Sequence, residues 1–312
     1  MDPQFFESLK QSLAASLSPD QSLRQQAEHF LIEAQKRPDY CSAMLEVSAD
    51  GTIDPNLSLA AAVQLGTCID YHWKYLNPEQ AEKISVTGFR YIILSEADKH
   101  HVRTNIVSKM FTCTSRPVMK QYVRSIITIC RFDYPEKWPT LLTDISNALQ
   151  SGNDKGILTG CVALFCLAKK FEYELDEARQ PLFDIMQQVS PTLGQIVEQY
   201  MAQIESEVAL TILHQIVKIF YTANQLWICP FLKENNALAP WIHMCKIILD
   251  MPVPAALESP TDDIEEISQR DKSMLWKLKA QAARITFRLF SRYANISKYS
   301  GDGAEKQWCQ FF

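Results

Sequence analysis

Glycine is scarce: nine residues in 312, about 3% against roughly 7% in average proteins. Tight hairpins, bulges and phosphate-cradling loops all draw on glycine, so a large β-sandwich or a fold built on Gly-rich phosphate loops is disfavoured. Long hydrophobic runs are also missing. The most apolar stretch, Gly156 to Ala168, meets Lys169-Lys170 after about a dozen residues, whereas a bilayer span needs about 20. The start, Met1-Asp2-Pro3-Gln4, has no basic segment followed by an apolar run, so no signal peptide is expected. The sequons at Asn56 and Asn295 then carry no glycosylation meaning.

Paired cysteines are absent too. Nine cysteines include no C-x-x-C, and an odd count among apolar neighbours fits reduced, buried thiols of the cytosol or nucleus. Charge of either sign is not in large excess: 31 Lys plus Arg against 36 Asp plus Glu give −5. That is the wrong sign for a sequence-independent nucleic-acid binder, and it weakly suits a surface meeting basic partners.

The motifs that carry chemistry are missing: no G-x-x-x-x-G-K-[ST], no H-E-x-x-H, no G-x-S-x-G. His100 and His101 are adjacent, so on a helix they point about 100° apart and share a metal poorly. His214 and His243 each stand alone among apolar neighbours and read as core histidines. No catalytic residue, metal or cofactor is expected, and no enzyme.

What is present is helical periodicity almost throughout. Stripes run over Phe5–Leu17, Leu23–Ala34, Tyr40–Val47, Leu57–Trp73 and Val102–Met110. They continue over Val118–Arg131, Trp138–Leu149, Ile157–Phe171, Asp176–Met201, Val208–Leu226, Leu238–Leu249 and Ser273–Tyr293, with a further helix beginning at Ala304. Prolines 19, 38, 55, 78, 117, 135 and 230 fall between stripes, and Asp20 and Asp133 stand where caps belong. Helix pairs recur at roughly 36 to 65 residues, against 40–47 for HEAT repeats, with insertions at 77–97 and 252–271. An irregular α-solenoid fits; an ordinary all-α bundle competes. The acidic loop Asp262–Glu266 and the basic stripe Arg284, Arg288, Arg292 read as solvated faces that pair with one another.

The sharpest local signature is Phe132-Asp133-Tyr134-Pro135-Glu136-Lys137-Trp138-Pro139. Physically, Asp133 is expected to cap, Pro135 to start the next helix and Trp138 to wedge between repeats. The segment resembles the D-[FY]-P-x-x-W-P junction of the importin-beta superfamily of nuclear transport receptors. Leu23-Arg24-Gln25-Gln26-Ala27-Glu28-His29-Phe30-Leu31 resembles that family's first-repeat "R-x-x-A-E-x-x-L" helix. Ala60–Leu65, ending in Trp73, resembles the second-repeat "A-x-x-L-K-N … W" helix, and Val102–Val107 the third repeat's first helix. Further on, Gln215–Tyr221 and Trp276–Tyr293 look like the importin-seven/importin-eight branch. Gly66-Thr67 depart from the family's Lys-Asn, removing a lysine and an amide from a face that lines the inner surface in the family.

The resemblance implies an all-α HEAT-repeat solenoid, a right-handed superhelix of antiparallel helix pairs. Repeats 1–3 would occupy 1–140, with further repeats over 141–312 cut at the start of a seventh, since a full receptor is roughly three times longer. It implies shuttling between cytoplasm and nucleus, binding of Ran-GTP by the N-terminal repeats, Phe-Gly nucleoporins in grooves between repeats, and basic cargo such as ribosomal proteins and histones. No direct nucleic-acid or membrane contact is implied. In the family the second helices of the first repeats face Ran. The matching positions are Arg24 and Glu28, then Gln64, Thr67 and Tyr71, then Gln121, Arg124 and Thr128; read alone, each is also an ordinary solvated position. An exportin of the same superfamily and a general HEAT scaffold remain alternatives.

Overall fold

The computed structural model describes residues 2–86, 89–234, 237–253 and 272–293. The acidic stretch 262–266 and the chain end from 304 lie outside the described residues. Thirteen α-helices are present among the described residues: α1 (Pro3–Ser16), α2 (Gln21–Ala34), α3 (Tyr40–Ala49), α4 (Pro55–His72), α5 (Pro78–Ile84), α6 (Glu96–Thr112) and α7 (Arg116–Asp133), then α8 (Leu141–Leu149), α9 (Asp154–Lys170), α10 (Gln180–Met201), α11 (Glu207–Ala223), α12 (Ala239–Asp250) and α13 (Met274–Tyr293). The described residues form no strand, only an isolated bridge between Val86 and Phe89.

Local chemistry sets the boundaries. Asp20 caps α2 by accepting from the backbone N–H groups of Ser22 and Leu23, and Asp54, Ser95, Asn153 and Ser206 cap their helices likewise. Pro55, Pro78 and Pro117 sit in first helical turns, where the missing N–H has no intrahelical partner to lose. Helix α5 escapes the periodicity reading because it is short and mostly polar. It is held by a capping box in which Asn77 and Gln80 each accept the other's backbone N–H, at 2.8 and 3.0 Å.

The chain forms two compact units, Met1–Asp144 and Ile145–Phe312. In the first, α1 packs on α2, α3 on α4 and α6 on α7; α3 also packs on α6, and α4 on α7. Leu9, Leu13, Met44, Leu65, Ile69 and Ile106 are fully buried there. In the second, α10 packs on α11 and α12 on α13, while α9, α11 and α13 stack side by side. Gly160 permits the close approach of the end of α8: a Cβ there would lie 2.9 Å from the backbone nitrogen of Leu149.

Buried cations close the exposed carbonyl ends of helices. Lys99 donates to Trp73 O at 2.7 Å at the end of α4, and burial pulls its ammonium down to about 8. Arg179, fully buried, donates to Phe171 O, Glu172 O and Ala223 O at 2.7, 2.9 and 2.8 Å, tying the ends of α9 and α11. Lys279 donates to Leu249 O and Met251 O, both at 2.6 Å, after α12.

Four expectations are corrected. Asp133 does not cap the following helix; it ends α7, is fully buried, and accepts from Trp73 Nε1 at 3.0 Å and an Arg103 guanidinium N–H at 2.7 Å. Pro135, joined to Tyr134 by a cis peptide bond, and Trp138 lie in the turn before α8 rather than in it. His243 is exposed, not core. The Arg288–Arg292 end of the basic stripe is not a solvated face either: Arg288 donates to Tyr221 and Gln225, and Arg292 to Leu226 O and Gln225 O at 2.8 Å, so both brace the end of α11.

Candidate partner-binding surface

In the first unit the second helices of consecutive pairs, α4 and α7, run side by side, and most of the expected contact residues lie along their line of contact. Asp70, on α4, organises it. Its Oδ2 accepts from Arg124 Nε at 2.5 Å and its Oδ1 from Thr128 Oγ1 at 2.6 Å. The ion pair is part-exposed, with 26% of the Asp70 and 45% of the Arg124 side chain accessible, so it adds only about 0–1 kcal/mol to stability. Its consequence is orientation: Asp70 engages the Nε edge of Arg124, not its two terminal nitrogens. A guanidinium held that way suits a carboxylate or phosphate.

Gly66 faces α7 at this point. A Cβ at position 66 would lie 3.5 Å from Gln121 Oε1 and 3.6 Å from Ser125 Oγ, and both oxygens are buried without a hydrogen-bond partner. The face that carries a lysine in the resemblance is thus turned against α7 in this chain and lines no open surface. Gln64 and Thr67 are half-buried and Tyr71 is 56% exposed. The Tyr71 ring lies 5.7 Å from that of Phe89.

Of the eight expected residues, Arg124 and Thr128 are joined through Asp70, with Gln121 one turn away and Tyr71 beside Asp70. Thr128 is buried and donates to Asp70. Arg24 and Glu28 are on α2. Arg24 donates to Ser18 O and Pro19 O, both at 2.8 Å, which commits one of its terminal nitrogens to the α1–α2 turn. Glu28 is exposed. Asp70 was missed, although its signal was present: it lies three residues beyond Thr67, on the same helical line.

Two further concavities are apolar. One, of about 1010 Å³, lies beside the end of α2 and is lined by Ile32, His72, Val86, Phe89, Tyr91 and Ile93. His72 accepts from Ile92 N through Nδ1 at 3.2 Å, and burial lowers its pKa. The other, of about 510 Å³, lies between α10 and α12 and is lined by Gly194, Val197, Met201, Pro240, Trp241 and Met244. The Trp241 ring stacks on Phe220 at 4.6 Å. Among the described residues, no group of three or more His, Cys, Asp or Glu is placed to hold a metal, and no helix is long and apolar enough to cross a membrane.

Comparison with known proteins matches residues 27–112 to the importin-beta N-terminal domain. The chain is 29% identical over 292 residues to importin-8 of Mus musculus, covering 92% of this chain and 27% of that protein. It is 28% identical over 306 residues to an importin beta-like SAD2 homolog of Arabidopsis thaliana, covering 96% of this chain and 27% of that protein. Exportin-2 of Homo sapiens is 29% identical over 174 residues, 54% of this chain and 16% of that protein. The chain therefore spans about a quarter of the length of the importin relatives it matches. In structure it resembles the exportin Cse1 in its cargo-free, cytoplasmic state, with a TM-score of 0.74 at 19% identity over 93% of this chain and 30% of that one, which shows the fold: an all-α HEAT-repeat solenoid. The domain match over residues 27–112 and the likeness to importin-8 over nearly the whole chain support an importin-beta superfamily member, near the importin-7/importin-8 branch.

Proposed function

We propose that this chain is the N-terminal part of a nuclear transport receptor and that its first repeats, over 1–140, bind Ran in its GTP form. The observation that carries the reading is the contiguous surface on α4 and α7, within and just beyond the matched domain, where Asp70 presents Arg124 beside Gln121, Thr67 and Tyr71. Gln64, and Glu28 with Arg24 on α2, extend it in the family pattern. A pull-down on immobilised Ran tests it: retention by the GTP-loaded form and not the GDP-loaded form is expected, and equal or no retention contradicts it.

Import is the favoured direction, because importin-8 is similar over 92% of the chain and exportin-2 over 54%. Export is the second reading. The two part in a cargo assay: Ran-GTP releases cargo from an importin and tightens it on an exportin. The groove between α10 and α12, with Trp241 and Met244 in its wall and Gly194 leaving room, suits a Phe-Gly nucleoporin segment. Basic cargo, such as ribosomal proteins or histones, suits the chain's net charge of −5. Such a receptor shuttles between cytoplasm and nucleus.

A further inference from the structure

Charge in the second unit is sorted by helix layer. The sequences of α9, α11 and α13 hold nine lysines and arginines and two carboxylates, and both carboxylates sit in first helical turns. The neighbouring α10 and α12 together hold three carboxylates and one lysine. So a chain that is acidic overall concentrates lysines and arginines in the α9, α11 and α13 layer, where Lys279, Arg288 and Arg292 hold neighbouring backbone and side chains and Lys218, Lys277 and Arg284 are left without a carboxylate partner among the described residues.

Three stripes meet there. On α11, His214, Lys218 and Tyr221 share one line; on α13, Lys277, Gln281, Arg284 and Arg288 share another; on α9, Phe165 and Lys169 share the third. The contact of Arg288 with Tyr221 fixes how the α11 and α13 lines sit against each other. The ammonium of Lys218 stands 4.1 Å over the Phe165 ring, and its hydrogen bond is a long one to Gln215, 3.4 Å. Lys277 and Arg284 are exposed, and the Arg284 hydrogen bond is to neutral Gln281. Lys169 has a counter-ion, Glu172. His214 buries its Nδ1 without a hydrogen-bond partner, and Lys218 and Lys277 are both near enough to repel its proton. A face with cations from neighbouring helices and an unsatisfied ring nitrogen lacks an anion.

We infer that the α9–α11–α13 face is a docking surface for an acidic polypeptide segment, whose carboxylates reach Lys218, Lys277 and Arg284. The recessed position of Lys218 favours a slim carboxylate side chain over a nucleic-acid backbone, which needs projecting cations along its track. The assignment implies that basic cargo does not sit on this face.

The test is fluorescence anisotropy of a labelled Glu-rich peptide titrated with the 312-residue chain at low and physiological salt. Salt-sensitive binding is expected, weakened about tenfold or more by Lys277→Glu with Arg284→Glu. Both residues are exposed, so thermal unfolding checks that the fold is kept, and Lys83→Gln in the first unit serves as the unchanged control. Absence of binding, or binding indifferent to the double variant, overturns the inference. So does tighter binding of a DNA oligonucleotide at the same residues. A peptide that binds only after Asp262, Asp263, Glu265 and Glu266 are neutralised also overturns it, since the occupant is then the chain's own acidic stretch.

Discussion

The indole N–H of Trp73 donates to Oδ2 of Asp133 over 3.0 Å, across 60 residues of sequence. The same oxygen accepts from Arg103 at 2.7 Å, and Arg103 also reaches Glu96 and the Tyr75 hydroxyl. Two ammonium groups stand over the Tyr75 ring, Lys99 at 3.6 Å and Lys137 at 3.3 Å from its centroid. One buried carboxylate thus ties the end of α4, the middle of α6 and the end of α7. It also explains why Trp73 and the Asp-Tyr-Pro-x-x-Trp segment occur together: they are two halves of one contact.

Asp133→Ala should therefore cost far more than an average substitution. It removes the acceptor of the Trp73 indole and the buried ion-pair partner of Arg103, whose side chain is only 5% exposed and keeps only the exposed Glu96 as counter-ion, and breaking a buried pair costs about 3–5 kcal/mol. Trp73→Phe keeps the ring volume approximately and removes one donor, for about 1–3 kcal/mol. Urea unfolding of both variants checks the order; equal, small losses would refute the network.

The two helix-packing glycines should respond in opposite ways. Gly160→Ala places a methyl 2.9 Å from backbone of Leu149 and should destabilise by about 1–3 kcal/mol. Gly66→Ala meets neighbours no closer than 3.5 Å and should be neutral, or gain up to about 1 kcal/mol from helix propensity. Melting temperatures of the two variants decide it.

Acid should weaken the second unit through His214. Burial, with repulsion from Lys218 and Lys277, holds its imidazole down to about 4, against about 6.5 in an unfolded chain. Between those values the unfolded state takes up the proton and the folded state does not. Stability from this group is therefore complete above pH about 6.5, falls as pH drops, and is lost by about pH 4, a change on the order of 3 kcal/mol. His214→Gln should flatten that part of the curve of unfolding free energy against pH; an unchanged slope would show that the ring titrates normally.

Twelve of the thirteen helices were legible because their apolar residues recur at helical spacing, and Asp20 showed its cap openly. What stayed hidden depends on distance in sequence. Asp133 reads as a cap because its neighbours are turn-formers; only the fold brings Trp73 and Arg103 to it. Likewise α3 has no cap of its own at Asp39, and Asp98 from α6 supplies one by accepting from the backbone N–H groups of Cys41 and Ser42 at 2.9 and 2.7 Å. The polar line on α7 was readable, but its division of labour was not. Thr128 donates its hydroxyl to Asp70, while Arg124 engages Asp70 through Nε alone, and the difference is set by α4.

Arg124 and Asp70 can be separated experimentally. Arg124→Glu should weaken Ran-GTP binding about tenfold or more while leaving helical content unchanged. Asp70→Asn keeps the size but removes the acceptor charge that orients Arg124, and should weaken binding less, with little change in stability. Circular dichroism and a binding titration on both variants check this; a loss with Asp70→Asn equal to that with Arg124→Glu would make Asp70 a contact rather than a positioning residue.

The central claim is tested most directly by the affinity of this chain for Ran, measured side by side with GTP and GDP bound. Binding to the GTP form at least tenfold tighter than to the GDP form, with the difference reduced by Arg124→Glu, is the predicted result. Equal affinity for the two forms, or no binding to either, would contradict it.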